Sequence, residues 1–205
     1  MPIFTKDGKE IFFIHNPRCA GRYVRDLFIR NKFDLHFDNF DEAIEGIEVP
    51  HAPARIYNRL PVWNSIHFVV VRNPIDRFKS ALQGYIYQHN LKVDYFGPNN
   101  NWTYEEFKNH VDDLINNNSS WYVPQSEFIT ETTHIWKLED GFGQNFLDWL
   151  YDKMQVRLSS DGWNKQKWQM KTIEPFYHIQ PVISKQVKEH IKKYYKKDYE
   201  TFDYK

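Results

Sequence analysis

Apolar positions in this chain fall into short continuous runs and helical stripes that alternate along the sequence. Ile11-Phe12-Phe13-Ile14 is too compact for a helix and rich in strand formers, so it predicts a strand. A polar loop follows, His15-Asn16-Pro17-Arg18-Cys19-Ala20-Gly21, and then Tyr23, Val24, Leu27 and Phe28 recur at helical spacing. Alternation over 33–37 predicts a second strand. The clearest strand is 65–71, whose unbroken apolar run is that of a strand covered on both faces, as in a parallel sheet. It stops at Arg72-Asn73-Pro74, where Asn73 suits an N-cap and Pro74 the first helical position. A helix is expected over 74–89, with Ile75, Phe78, Leu82, Tyr85 and Ile86 as its apolar stripe. Ser80 lies about 140° from Ile75, on an outer side shared with Arg77 and Gly84, and so off the core stripe.

Further on, the pattern predicts a helix over 103–114, a strand over 133–138, a helix carrying Phe142, Phe146, Trp149 and Leu150, and a last helix over 184–197 with a solvated lysine face. The segment 38–49 is acidic and reads as peripheral, 94–102 is a turn-rich loop, and 161–171 is a basic, aromatic surface loop or a lid over a nucleotide. Strands alternating with helices give an α/β fold, and 205 residues without a linker or repeat give one domain over 1–205.

Lys+Arg and Asp+Glu balance at 27 each, so no nucleic-acid partner is indicated by net charge and any basic site is local. The single cysteine, Cys19, suits a reducing compartment. With no apolar run near membrane-span length and no signal peptide, the expectation is a cytoplasmic protein of bacterial or viral type. The histidines are scattered and no metal is expected. Aromatic residues make up 18% of the chain, enough to allow exposed stacking surfaces for a ring-bearing ligand.

The chemistry concentrates in 11–26. Strand, tight loop and helix aim backbone N–H groups and a helix N-terminus at an anion, and Arg18 and Arg22 stand at the same mouth. An ordinary βα turn has the same outline. The loop is not a Walker A sequence. Cys19 and Arg25 have the Cys-x5-Arg spacing of cysteine phosphatases, an alternative in which a thiolate attacks phosphorus. Arg72, at a strand's carboxyl end beside a helix N-terminus, is where open α/β sheets bind ligands; a salt bridge is its other reading. Pro50 and Pro53 bracket His51 and hold it out of regular structure.

Taken together, these residues resemble the carbohydrate-type sulfotransferases that use 3′-phosphoadenosine-5′-phosphosulfate (PAPS), such as the heparan sulfate 2-O-sulfotransferases. That family's first loop, His-x-Pro-Lys-(Thr/Cys)-(Ala/Gly)-Gly-(Thr/Ser), is matched by His15–Arg22. Its second motif, Arg-(Asn/Asp)-Pro-x-(Asp/Glu)-Arg-x-x-Ser, is matched without departure by Arg72–Ser80. His51, Pro124-Gln125-Ser126, Lys137-Leu138-Glu139-Asp140 and the stretch 195–204 extend the likeness over most of the chain.

The resemblance implies a P-loop NTPase-like three-layer αβα fold with a central, mostly parallel sheet. It implies that Pro17, Arg18, Cys19, Ala20, Gly21 and Arg22 cradle the 5′-phosphosulfate, with Arg18 catalytic, and that Arg72 and Ser80 hold the 3′-phosphate. It makes His51 the general base for a carbohydrate hydroxyl and 163–171 a loop over the cofactor, with Lys165 and Lys167 as phosphate contacts. Tyr95, Phe96, Trp102 and Tyr104 are candidates for a sugar cleft. Two positions depart from the family: Arg18 replaces its lysine and Arg22 its Thr/Ser. These changes leave three options open: a repositioned cationic clamp, an altered donor, or a non-catalytic nucleotide- or glycan-binding relative.

Overall fold

The two strongest apolar runs, near residues 12 and 69, lie side by side in the centre of one sheet. The computed structural model describes residues 2–59, 66–88, 104–116, 120–161 and 183–205. In chain order the elements are β1 (Ile3–Lys6), β2 (Lys9–Ile14), α1 (Gly21–Arg30), β3 (Asp34–His36), β4 (Ala43–Ile44), β5 (Ile47–Glu48), α2 (Ala54–Tyr57), β6 (Ile66–Val71), α3 (Pro74–Gln88), α4 (Tyr104–Asn116), β7 (His134–Lys137), α5 (Gln144–Met154), α6 (Lys185–Tyr194) and α7 (Lys196–Phe202). Short 3-10 turns at Val49–His51, Gln125–Glu127 and Leu138–Asp140 complete the set.

Five strands form a mixed sheet in the order β3-β1-β2-β6-β7. β2, β6 and β7 run parallel, with Phe13 beside Phe68 and Val70 beside Trp136. The expected parallel sheet is therefore only part of the whole, because β1 and β3 pair antiparallel along one side. β1 was not among the expected strands. Its link to β2 is the two-residue turn Asp7-Gly8, both at positive φ (52° and 77°), and so short a link permits only an antiparallel hairpin.

Helices and turns cover both faces. Phe4, Ile11, Phe13, Phe68, Val70 and Trp136 face α1 and α5 through Val24, Leu27, Phe28, Phe146 and Leu150. The alternate residues, Ile3, Phe12, Ile14, Val69 and Val71, face Ile56, Tyr57, Phe128 and Phe202. Burial on both sides explains the unbroken apolar run of β6. A third cluster joins α3, α4 and α6 through Phe78, Leu82, Val111, Val187 and Ile191.

Two other expectations are corrected. The acidic segment is not wholly peripheral: β4 and β5 pair as a small ladder, and Ile47 and Val49 are buried. The last helix is two helices broken at Tyr195 (φ −89°, ψ 21°), whose hydroxyl donates to the Tyr122 carbonyl at 2.8 Å. The break turns Asp198 and Phe202 inward, where both are buried. Among the described residues no helix is long and apolar enough to cross a membrane.

Phe68 sits at the centre, its ring 5.0 Å from Phe13, 6.1 Å from Phe28 and 6.0 Å from Trp149. Phe68→Ala is expected to cost about 3–5 kcal/mol in urea unfolding, with an unchanged dependence on denaturant concentration.

Candidate active site

The loop after β2 is held in an uncommon backbone shape. Arg18 (φ 66°) and Ala20 (φ 59°) both occupy the left-handed region without being glycine. Each costs on the order of 1 kcal/mol, so the surroundings must hold the loop in place. No side chain caps the start of α1, which leaves its first N–H groups at the loop mouth. Gly21 is required by close approach, since a Cβ there would stand 1.8 Å from His15 Nε2.

What holds the loop is Gln125, fully buried in the 3-10 turn at Gln125–Glu127. Its Oε1 accepts from the Arg72 N–H at 2.9 Å and from Asn16 Nδ2 at 2.8 Å, and its Nε2 donates to the Arg72 carbonyl at 2.7 Å. One amide thus satisfies both backbone groups where β6 ends and fixes the loop beside it. Asp198 from α7 holds the turn in its place, accepting from the N–H of Gln125 at 2.8 Å and of Ser126 at 2.9 Å.

α3 begins as its sequence predicts. Asn73 Oδ1 accepts from the N–H of Ile75 at 3.0 Å and Pro74 is the first helical residue. Glu139 accepts from the Asn73 N–H at 2.7 Å and from the Tyr204 hydroxyl at 2.8 Å, tying the 137–140 and 195–204 stretches to this corner. Arg77 corrects an expectation. It is only 1% exposed, and its Nε donates to the Pro17 carbonyl at 3.0 Å. The side of α3 away from the apolar stripe faces the loop rather than water.

Three guanidiniums meet at the mouth. Arg18 Nε donates to Ser80 Oγ at 3.3 Å, and its guanidinium lies 4.9 Å from the Trp121 ring centre. Burial, together with Arg22 and Arg72, lowers the Arg18 pKa to about 10. Arg18 therefore remains a cation at neutral pH but lies in a field already positive. Among the described residues the side chains of Arg22 and Arg72 form no ion pair, so the salt-bridge reading of Arg72 finds no carboxylate there. Ser80 is half-buried, off the stripe as expected, and accepting from Arg18 leaves its hydroxyl proton for another partner.

His51 stands near this cluster. Its Nδ1 and Glu48 Oε2 are 2.6 Å apart, and its ring centre is 4.7 Å from that of His15. Burial lowers the His51 pKa, with Glu48 opposing. The carboxylate fixes Nδ1 as the N–H and leaves the Nε2 lone pair for a proton. His15 is pushed well below the usual histidine range by burial and by His51, so it is neutral beside His51.

Cys19 is buried. Asn16 Nδ2 donates to its Sγ at 3.2 Å, and Sγ donates to Gln125 Oε1 at 3.4 Å. Burial pushes the thiol up to about 12. Arg25 does not clamp the same loop; its Nε pairs with Asp38 Oδ2 at 2.7 Å.

The structure thus gathers Pro17, Arg18, Cys19, Ala20, Gly21, Arg22, Arg72, Ser80 and His51 around one corner. Lys165 and Lys167 and the cleft candidates Tyr95, Phe96 and Trp102 lie outside the described residues, as does the side chain of Tyr104. Sequence reasoning missed Glu48 and Trp121, although Glu48 was visible three residues before His51 and side chains at that spacing eclipse in a 3-10 turn. Comparison of the chain with protein-family models, with curated proteins and with solved structures gives no match.

Gln125→Leu strips partners from the buried N–H groups of Arg72 and Asn16, at about 1–3 kcal/mol for each group left unsatisfied. The variant is expected to melt lower than one carrying an exposed Gln→Leu change such as Gln155→Leu, as read by calorimetry. The Cys19 thiol is expected to resist a water-soluble maleimide at pH 8 in the folded protein and to react on unfolding; rapid labelling of the native chain would contradict its burial.

Proposed function

We propose that the protein is a sulfotransferase on a P-loop-like αβα core, moving a sulfuryl group from PAPS to a hydroxyl, with a carbohydrate as the acceptor class. One observation carries the reading: three mutually repelling guanidiniums surround an uncapped helix N-terminus, beside a carboxylate-oriented imidazole. An arginine cluster of this kind calls for a polyanion, and PAPS supplies both phosphates and a transferable sulfuryl group. The residues present fit such a donor. Backbone N–H groups of 18–22 and the guanidiniums of Arg18 and Arg22 suit the 5′-phosphosulfate, and Arg72 with the free hydroxyl proton of Ser80 suits a 3′-phosphate.

His51 Nε2 takes the proton of the acceptor hydroxyl as the new O–S bond forms and the S–O bond to the 5′-phosphate breaks. The charge released on the leaving phosphate falls on Arg18 and the helix N-terminus. Sulfuryl transfer, like phosphoryl transfer, gains most from in-line positioning and from cations at the oxygens. The cysteine-phosphatase reading has little support, since the only thiol is buried, raised to about 12, and unaccompanied by Arg25.

Calorimetric titration tests the donor. Adenosine 3′,5′-bisphosphate is expected to bind more tightly than adenosine 5′-monophosphate, and Arg72→Ala to erase most of that preference; equal binding of the two by folded protein sinks the reading. His51→Ala is expected to lower kcat about 10²–10⁴-fold while bisphosphate binding persists. Bisphosphate binding without turnover of any acceptor would identify a non-catalytic relative.

The pH profile has a definite sign. A base works unprotonated, and burial lowers the His51 pKa, so the acid limb of kcat/KM lies below the ordinary histidine value of about 6.5. Glu48 raises that pKa, so Glu48→Gln is expected to move the limb to still lower pH.

A further inference from the structure

The acceptor side of the corner has a character of its own. Phe40 is 40% exposed, yet its ring centre lies 5.2 Å from that of His51 and 6.2 Å from that of His15, edge to face in both cases. Single exposed phenylalanines are common on protein surfaces, but this one flanks the base. The segment carrying it is anchored. Asp38 is tied to α1 by Arg25, Asn39 Oδ1 accepts from the Asp41 N–H at 3.0 Å, and Asn39 Nδ2 donates to Glu42 at 3.1 Å. Phe37 is kept at φ 54°, a conformation a bulky residue holds only where its surroundings impose it.

The segment that carries Phe40 is acidic, unlike the arginine mouth. Residues 38–48 contain Asp38, Asp41, Glu42, Glu45 and Glu48 and no lysine or arginine. Arg25 neutralises Asp38, Arg55 and Arg59 neutralise Glu45, and Glu48 is engaged with His51. Among the described residues Asp41 and Glu42 form no ion pair, so they bring two unpaired carboxylates to the segment that carries Phe40, while the N-terminal ammonium acts on His15, Asp38 and His51.

We propose that the acceptor is an uncharged glycan whose sugar ring lays its C–H face on Phe40, and that Asp41 and Glu42 turn away glycans bearing carboxylates or sulfates. The proposal rests on the sulfotransfer reading and narrows its acceptor. The C–H face of a sugar is its apolar side, and it meets the negative face of an aromatic ring favourably. A uronate or sulfate on the same ring would approach the Asp41 and Glu42 carboxylates of the segment that carries Phe40, and like charges of this kind are how charge patterns reject wrong partners. The two halves of the corner thus sort their ligands by sign: the anionic donor to the arginines, the neutral acceptor to the aromatic and acidic rim.

Saturation-transfer NMR on the full chain tests this, with chitohexaose as the neutral probe and a hyaluronan hexasaccharide, which alternates the same sugar with a carboxylate-bearing one, as the anionic probe. Chitohexaose is expected to bind through its ring C–H protons, with hyaluronan about tenfold weaker. Phe40→Ala is expected to weaken chitohexaose about fivefold at an unchanged melting temperature. Asp41→Asn with Glu42→Gln is expected to narrow the gap between the two glycans. Hyaluronan bound as tightly as chitohexaose, no binding of chitohexaose, or binding indifferent to Phe40→Ala overturns the proposal. Titration of the same preparations with adenosine 3′,5′-bisphosphate separates the two claims. Phe40-dependent glycan binding without bisphosphate binding would fell the donor reading alone, and the reverse result would fell the acceptor inference alone.

Discussion

A single buried side-chain amide, that of Gln125, is the constraint on which the rest of this molecule depends. A parallel strand that ends in a site leaves its last N–H and C=O without a ladder partner, and unsatisfied buried groups of this kind are costly. Gln125 answers both at Arg72 and uses the remaining capacity of its oxygen on Asn16. The strained loop, the strand end and the start of α3 are consequently one unit. Arg77 extends that unit by holding the Pro17 carbonyl from the side of α3 that faces the loop. Movement of any one piece would break bonds in the others, which is the condition for holding side chains in a fixed geometry.

Against this rigid frame the electrostatics are unbalanced. Burial and the neighbouring Arg22 and Arg72 lower the proton affinity of Arg18, and an anion bound among the three would relieve their repulsion. A ligand that binds only the folded form also stabilises it in proportion to the logarithm of its concentration over its dissociation constant. The aromatic core beneath the loop, in which Phe13 meets Phe68 and Trp149 meets both Phe68 and Trp136, supplies the stability that such a cluster draws upon.

Much of this was legible in the sequence because the signals are local. The strand-loop-helix at 11–28 and the Asn73-Pro74 helix start rest on neighbouring residues and appear as read. The β1–β2 hairpin was equally local, since Asp7-Gly8 is a strong two-residue turn signal, and it passed unread. Glu48 beside His51 was of the same kind. Other features were not readable. The family likeness marks Pro124-Gln125-Ser126 and 195–204, but what Gln125 and Asp198 bond appears only when distant segments meet around them. Arg77 shows why: a helical wheel gives the direction of a side chain but not what lies in that direction, here the loop rather than water.

The inward turn of α7 has a consequence in time rather than in space. The Asp198 carboxylate that seats Gln125 lies 73 residues downstream of it, and Phe202 closes the sheet face behind the site. A chain emerging in order from the ribosome will have made β2, β6, the arginines and the histidine long before it makes the residues that lock them together. Until then the arginine cluster exists without its brace. An anion bound there would hold the nascent corner in shape, as ligands do for any fold whose closing contacts form late.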